Sequence, residues 1–299
     1  MCKGDWMINK IIAVQDMQDY ILEHLYENIT MKEISRVSFY SPWYSYRIFL
    51  ELTEVTISDY IRRLKLSKSA MELRDSKVKI IDVAYKCGYE TPDGYTRAFF
   101  KEFGCNPKEY ANNPIPITLF IPYGVKYKDK IGGKIMENVK NVFIREVERP
   151  SRKVIIKRGV KASDYLEYCE EVGCDVWGIL TSMKSMFDEP VCMWLPKHLI
   201  KENTSTYVQG VEVPLDYKGI IPDGFDVIEL PASTYLMFQG EVFKEEDFCI
   251  AIDEIWNAID KYNPEVTGYK WDNSNPRIQL EPIGTRGYIE YVPVIKICN

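Results

Sequence analysis

The chain has 299 residues, 46% apolar and 27% charged; this is the mix of a globular protein that folds in water, and the length suits two domains better than one. Its net charge of −6 argues against a generally basic nucleic-acid binder, but the acidity is uneven: residues 1–112 carry 16 basic and 16 acidic side chains, whereas 113–299 carry 22 and 28. No stretch approaches the roughly 20 apolar residues of a membrane span, and Met1-Cys2-Lys3-Gly4-Asp5-Trp6 opens no signal-peptide run, so a cytoplasmic protein without membrane contact is expected.

In chain order, Val14, Met17, Ile21 and Leu25 recur at helical spacing. Thr30-Met31-Lys32-Glu33 has the form of a capping box and opens a short helix through Ile34 and Ser35. Ser41-Pro42 starts another, because a hydroxyl accepts an orphan backbone N–H and proline in the first helical position needs no donor. Tyr60, Leu64, Leu66, Ala70 and Leu73 mark a long helix. It and the turn after it carry Arg62, Arg63, Lys65, Lys68, Arg74, Lys77 and Lys79 against only Glu72 and Asp75. That stripe either neutralises phosphates or is a solvated helix face. Ile81, Val83 and Ala84 then precede Gly88, and Thr91-Pro92 repeats the helix start.

Laid against itself with an offset of 50, the sequence places Ser41-Pro42 on Thr91-Pro92, Arg47 on Arg97, Phe49 on Phe99 and Phe39 on Tyr89. Small residues at Ser35 and Ala84 suit close helix crossings, and the spacing predicts two helix-turn-helix units with the basic helix between them. Arg47 and Arg97 are expected on the same side of the domain, since recognition helices in successive major grooves sit about 34 Å apart. The alternative is an ordinary helical bundle, in which Phe49 and Phe99 would be buried alike.

The stretch 112–134, with Pro114, Pro116, Pro122, Gly124, Gly132 and Gly133, reads as a linker. Beyond it, strands are expected at 153–157, 191–195, 206–213, 234–242, 277–281 and 287–295, and helices at 162–186 and 246–261, the second with an apolar stripe of Ala251, Ile252, Ile255, Trp256 and Ile259. The order strand, helix, strand, strand occurs twice, suggesting two similar halves joined near 220–224. Of eight cysteines the closest pair, Cys169 and Cys174, lacks C-x-x-C spacing, and only His24 and His198 could assist, so free thiols, no metal site and no cofactor are expected.

Residues 8–112 resemble the DNA-binding domain of AraC/XylS-family regulators, notably in Tyr60-Ile61-Arg62-Arg63-Leu64-Lys65-Leu66, in Ile81-Asp82-Val83-Ala84-Tyr85-Lys86-Cys87-Gly88-Tyr89 and in Asn106-Pro107-Lys108-Glu109-Tyr110. The resemblance implies that Trp43, Tyr46 and Arg47, then Pro92, Asp93, Thr96 and Arg97, face the major groove; Arg62, Arg63 and Lys65 of the basic stripe are further DNA-binding candidates. Arginine pairs bidentately with guanine, and aromatic rings or threonine meet thymine methyls. Pro92, which has no donor, and acidic Asp93 depart from a pattern in which relatives often carry glutamine.

Residues 141–299 resemble the GyrI-like effector-binding domain of Rob-type regulators, in Val176-Trp177-Gly178-Ile179-Leu180, in 207–213, in Leu230-Pro231-Ala232-Ser233-Thr234-Tyr235 and in Glu290-Tyr291-Val292-Pro293-Val294. The resemblance implies a cleft lined by aromatics and a carboxylate, for which Trp177, Trp194, Tyr207, Tyr235, Phe238, Trp271 and Tyr291 are the aromatic candidates, and Glu290, then Glu281, the acids. Relatives tend to place an acid one position before Glu290, where Ile289 stands, and another near Gln279.

Together these readings give a multidomain chain. An all-α double helix-turn-helix DNA-binding domain spans 1–112, a linker 113–140, and an α+β GyrI-like domain of two pseudo-symmetric β-α-β-β halves 141–299. The expected function is transcription regulation without catalysis: binding of double-stranded promoter DNA as a monomer or dimer, with RNA polymerase a further candidate partner, under control of a small amphipathic or cationic effector. The alternatives are a small-molecule hydrolase using Glu290 and a protein-docking module.

Overall fold

In the computed structural model, which describes residues 3–122, 141–173, 175–244 and 247–297, most helices of the N-terminal half begin where capping side chains stand. Thr30, Ser41, Thr56, Thr91 and Asn106 each accept a first-turn backbone N–H, satisfying donors that a helix start leaves without partners. The Thr30 box is complete, with Glu33 accepting from the Thr30 backbone at 2.7 Å. The helices so started, together with α1 and with α5, which has no side-chain cap, are α1 (Lys3–Glu23), α2 (Met31–Val37), α3 (Pro42–Thr53), α4 (Ile57–Asp75), α5 (Ile80–Lys86), α6 (Pro92–Phe103) and α7 (Pro107–Asn112). They belong to a unit spanning Met1–Gly133, and a second unit spans Lys134–Asn299.

Two apolar cores lie along α4. Ile34 of α2, Ile48 and Phe49 of α3, and Tyr60 and Leu64 of α4 close the first with α1. Leu66, Ala70 and Leu73, farther along α4, close the second with Val83 and Ala84 of α5, Tyr95 and Phe99 of α6 and Tyr110 of α7. One helix thus supplies a wall to both cores.

The expected linker begins later than its prolines suggested. Ile117 and Leu119 are buried in the second core, and Phe120 packs on the first. The Phe120 N–H donates to Ser67 Oγ at 2.8 Å, and its ring meets Tyr60 edge-on at 5.2 Å. The segment 114–122 is therefore a strap across α4. The rest of the expected linker, including Gly124, Gly132 and Gly133, lies outside the described residues, as does Cys174.

The second unit is one antiparallel sheet with helices on one face. Its strands are β1 (Phe143–Arg149), β2 (Arg152–Arg158), β3 (Val191–Trp194), β4 (Tyr207–Val213), β5 (Asp226–Leu230), β6 (Ser233–Gln239), β7 (Tyr269–Trp271), β8 (Arg277–Gln279) and β9 (Ile289–Lys296). The order is β1-β6-β9-β8-β3-β4-β2-β5, with β7 also paired to β9. The expected helix over 162–186 is two, α8 (Tyr165–Val172) and α9 (Asp175–Ser182), separated at Gly173, whose φ of 89° no continuing helix adopts. The last helix, α10 (Phe248–Lys261), follows β6.

Strands β1, β5 and β7 were not anticipated. β1 is mostly exposed and rich in charge, so it carries no alternating apolar signal. Each long edge strand pairs away from its chain neighbour: β1 runs through Pro150-Ser151 into β2 yet pairs with β6, and β5 runs through Pro231-Ala232 into β6 yet pairs with β2. The change in pairing therefore falls at these two proline corners, and 220–224 lies in the connection from β4 to β5.

Alternation along the strands sorts their side chains by face. Ile155, Val211 and Val213 pack against Val176 and Leu180 of α9. Leu236, Phe238 and Val294 pack against Ala251, Ile255 and Ile259 of α10. The intervening residues Val154, Val208, Tyr235, Met237, Ile278, Ile289 and Tyr291 form a separate core on the other face.

Candidate functional site

Helices α3 and α6 are built alike from their caps onward. Ser41 accepts from the Tyr44 N–H at 3.3 Å and Thr91 from the Gly94 N–H at 3.1 Å, each ahead of a proline. Ser45 and Tyr95, then Phe49 and Phe99, point inward. Both helices end on a left-handed residue, Glu54 and Gly104. The offset of 50 extends to the buried pair Tyr60 and Tyr110.

Ahead of the caps the offset is 49. The left-handed turn residue is Phe39, with φ 58°, in the first unit and Gly88, with φ 86°, in the second. Phe39 thus corresponds to Gly88, and not to Tyr89, because the second turn is one residue longer. The Phe39 ring is 90% exposed.

What α3 and α6 leave outside is the candidate reading surface. Trp43 is 69% exposed, Tyr46 and Arg47 are exposed, as are Asp93 and Arg97, and Pro92 and Thr96 are half-buried. The Arg47 guanidinium lies 5.0 Å from the Trp43 ring and 4.9 Å from that of Tyr44. These rings, three and four residues before it on the helix, hold it against α3.

The basic stripe divides. Arg62 Nη1 and Arg63 Nε both donate to Glu102 of α6, at 3.0 and 2.7 Å, and Arg62 also reaches Asp59. Arg63 further stacks on Phe120 at 4.4 Å. These two were expected to face phosphates; the geometry instead uses them to clamp α6 and the strap to α4. Arg74 pairs with Asp75, Lys65 is half-buried, and Lys68, Lys77 and Lys79 stay exposed.

In the second unit the residues gather around Glu290, which is fully buried on the helix-bearing face of β9. Its Oε1 accepts from Trp256 Nε1 at 2.6 Å and from the Tyr288 hydroxyl at 2.5 Å, and its Oε2 accepts from Arg277 Nε at 2.5 Å. The Arg277 guanidinium lies 5.1 Å from the Trp194 ring and 5.7 Å from that of Trp256. Burial pushes the Glu290 carboxyl above the usual carboxylate range, while Arg277, Tyr288 and Trp256 pull the other way.

The cage is braced from behind. Trp194 Nε1 donates to the Ser163 carbonyl at 2.8 Å, its ring meets Tyr207 at 5.0 Å, and the Tyr207 hydroxyl donates to Gln279 Oε1 at 3.0 Å. Beside the cage opens a cleft of about 420 Å³, whose lining includes Trp194, Trp271, Asp260, Asp272, Asn275 and Arg277. Ile289, the neighbour of Glu290, belongs to the opposite core.

Of the expected ligand residues, then, Trp194, Tyr207, Trp271 and Glu290 converge. The others do not. Tyr235 and Tyr291 lie on the opposite face, against two buried arginines: Arg152 donates to the Tyr235 hydroxyl, Arg149 covers the Tyr291 ring at 4.4 Å, and both pair with buried Glu212. Phe238 is buried under α10 beside Tyr262 and Trp271. Trp177 is core on α9, and Glu281, whose backbone carbonyl accepts from Arg286, stands outside the cage.

Arg277, Trp256 and Tyr288 were missed. Trp256 sat in an apolar helical stripe already filled by Ala251, Ile255 and Ile259, which was the available sign that its ring served something beside the core. Among the described residues, no cluster of three or more His, Cys, Asp or Glu could hold a metal, and no helix is long and apolar enough to cross a membrane.

Two capped reading helices on one shared wall, followed by a sheet-and-helix unit with an aromatic and acidic cage, define an AraC-type DNA-binding regulator with an effector-binding domain. The chain belongs to the AraC/XylS family of transcription regulators and is not an enzyme. Residues 34–113 match the helix-turn-helix domain model, and residues 170–293 match that of the integron-associated effector binding protein. The regulatory protein SoxS of Escherichia coli K12 is 34% identical over 97 residues, which are 32% of this chain and 91% of SoxS. The right origin-binding protein of the same strain is 32% identical over 101 residues, which are 34% of this chain and 35% of that protein. The DNA-binding domain of AdpA, solved with a target DNA, aligns with 33% of this chain and 89% of its own at 21% identity and a TM-score of 0.31.

Proposed function

We propose that this protein regulates transcription by reading promoter DNA through α3 and α6 and that its second unit senses a small amphipathic or cationic molecule at the Glu290 cage. The observation that supports the first part is the recurrence of an exposed arginine six residues after matched caps, Arg47 after Ser41 and Arg97 after Thr91. Trp43 and Tyr46 would meet thymine methyls beside Arg47; Thr96 and Pro92 would do so beside Arg97, with Asp93 accepting from a cytosine amino group. Such a protein works where the chromosome is, in the cytoplasm.

The second unit reads as a duplicated β-α-β-β element. Its support is the pair of proline corners, where the residue before each corner pairs with the residue after the other, Arg149 with Ser233 and Leu230 with Arg152. A hydrolytic role for Glu290 finds no support, because both oxygens already accept from side chains of this chain.

The test is salt-dependent binding of the full chain to promoter fragments. Arg47→Ala and Arg97→Ala should each cost about 1–3 kcal/mol against the preferred site, roughly fivefold to 150-fold, and much less against unrelated DNA. Equal affinity for all sequences with no response to Arg47→Ala would sink the reading.

A further inference from the structure

We infer that the cage selects a planar, delocalised cation of the guanidinium or amidinium type, and that Arg277 is its tethered competitor, occupying the cage until such a ligand displaces it. This rests on the reading of the second unit as an effector domain. The occupant itself shows what the cage fits: a flat cation against two indoles, 5.1 and 5.7 Å from their centres, where the two rings meet edge-on at 6.1 Å, with one edge of the cation on Glu290. A guanidinium or amidinium offers parallel N–H donors in one plane and gives up its hydration more readily than an ammonium does, so the same walls discriminate against a simple amine.

Two features make Arg277 a removable occupant. It enters from the rim: its side chain is 29% exposed, while Glu290 is not exposed at all. The adjoining cleft, which Arg277 itself lines, offers room and the exposed Asp260 to a guanidinium that turns out of the cage.

Vacating the cage without replacement would leave Glu290 buried beside no cation, a costly state. Arg277 and the ligand therefore exchange. A neutral aromatic can stack on the indoles but does not replace the charge, so it leaves Arg277 in place. The free protein binds its ligand more weakly than the cage alone would, by the fraction of molecules in which Arg277 has turned out.

The experiment titrates the full chain with benzamidine and, separately, with neutral benzamide, read by tryptophan fluorescence and calorimetry. Arg277→Ala should tighten benzamidine by about tenfold or more by removing the competitor, and Glu290→Gln should abolish benzamidine binding in both backgrounds. Because Arg277→Ala exposes the fold to an unpaired acid, a second readout uses that defect. Millimolar guanidinium ion should raise the unfolding temperature of Arg277→Ala and leave wild type unmoved, whereas potassium ion at equal ionic strength should raise neither. Benzamidine binding that weakens or stays level in Arg277→Ala, or no rescue by guanidinium, overturns the exchange and leaves the effector reading intact. Failure of both probes on every form overturns the effector reading with it.

Discussion

Phe39 and Gly88 stand at the same place in two turns and meet its demand with opposite chemistry. A left-handed backbone costs glycine nothing and costs a side chain with a Cβ on the order of 1 kcal/mol. Gly88→Ala should therefore lower stability by about 1 kcal/mol, and the lysine nitrogen 3.7 Å from the added carbon leaves backbone strain as the cause. Phe39→Gly should not lower it, since the ring is 90% exposed and packs on nothing that its loss would disturb. Thermal unfolding of the two variants measures the contrast, and a loss in Phe39→Gly equal to that in Gly88→Ala would refute it. Residues of this kind divide into legible and illegible ones. Gly88 was readable because glycine before a helix start announces a turn; Phe39 was not, because nothing local distinguishes a phenylalanine forced into that conformation. Arg277 is the same case in the second unit, an arginine at a strand start whose meaning comes from indoles contributed by β3 and α10.

Among elements, the strap 114–122 differs most from its sequence reading. Prolines and glycines downstream drew it into a linker, yet Ile115, Ile117, Leu119 and Ile121 alternate as an extended segment with one buried side does. That signal was present and was outweighed by Pro114, Pro116 and Pro122. Burial of Leu119 in the second core makes it a core residue, so Leu119→Ala should cost about 2–4 kcal/mol, read from urea unfolding of the helical signal. A cost near zero would return the segment to the linker. The helix starts at Thr30, Ser41 and Thr91, by contrast, were legible to the residue, because caps are local chemistry. Edge strand β1 was not, because a half-exposed, highly charged strand carries no face preference, and α8 and α9 merged because the break at Gly173 interrupts an otherwise apolar periodicity.

At the scale of the molecule, each of the two units closes its own apolar cores. The excess of acid falls wholly beyond residue 112, so the half proposed to meet DNA carries no net repulsion toward it. A fragment ending at Gly133 should fold and keep the DNA affinity of the full chain while losing any response to benzamidine. A fragment from Lys134 should bind benzamidine as the full chain does. Circular dichroism and the two binding assays decide this, and a first fragment that fails to fold would mean that the units complete one another. The fold class and the order of the units were legible because two kinds of periodicity meet a run of breakers; the cage was not, because four separate elements assemble it.

α4 gives one wall to each helix-turn-helix core, and its consequence reaches beyond the protein. A single continuous rod sets the interval between the two reading heads, and the Arg62 and Arg63 clamps to Glu102 hold the second head at a fixed angle to it. Under the proposed reading, an operator whose half-sites were out of step with that interval would have to be bent or twisted into register, so flexible base steps in the spacer, which no side chain touches, would become part of what is recognised.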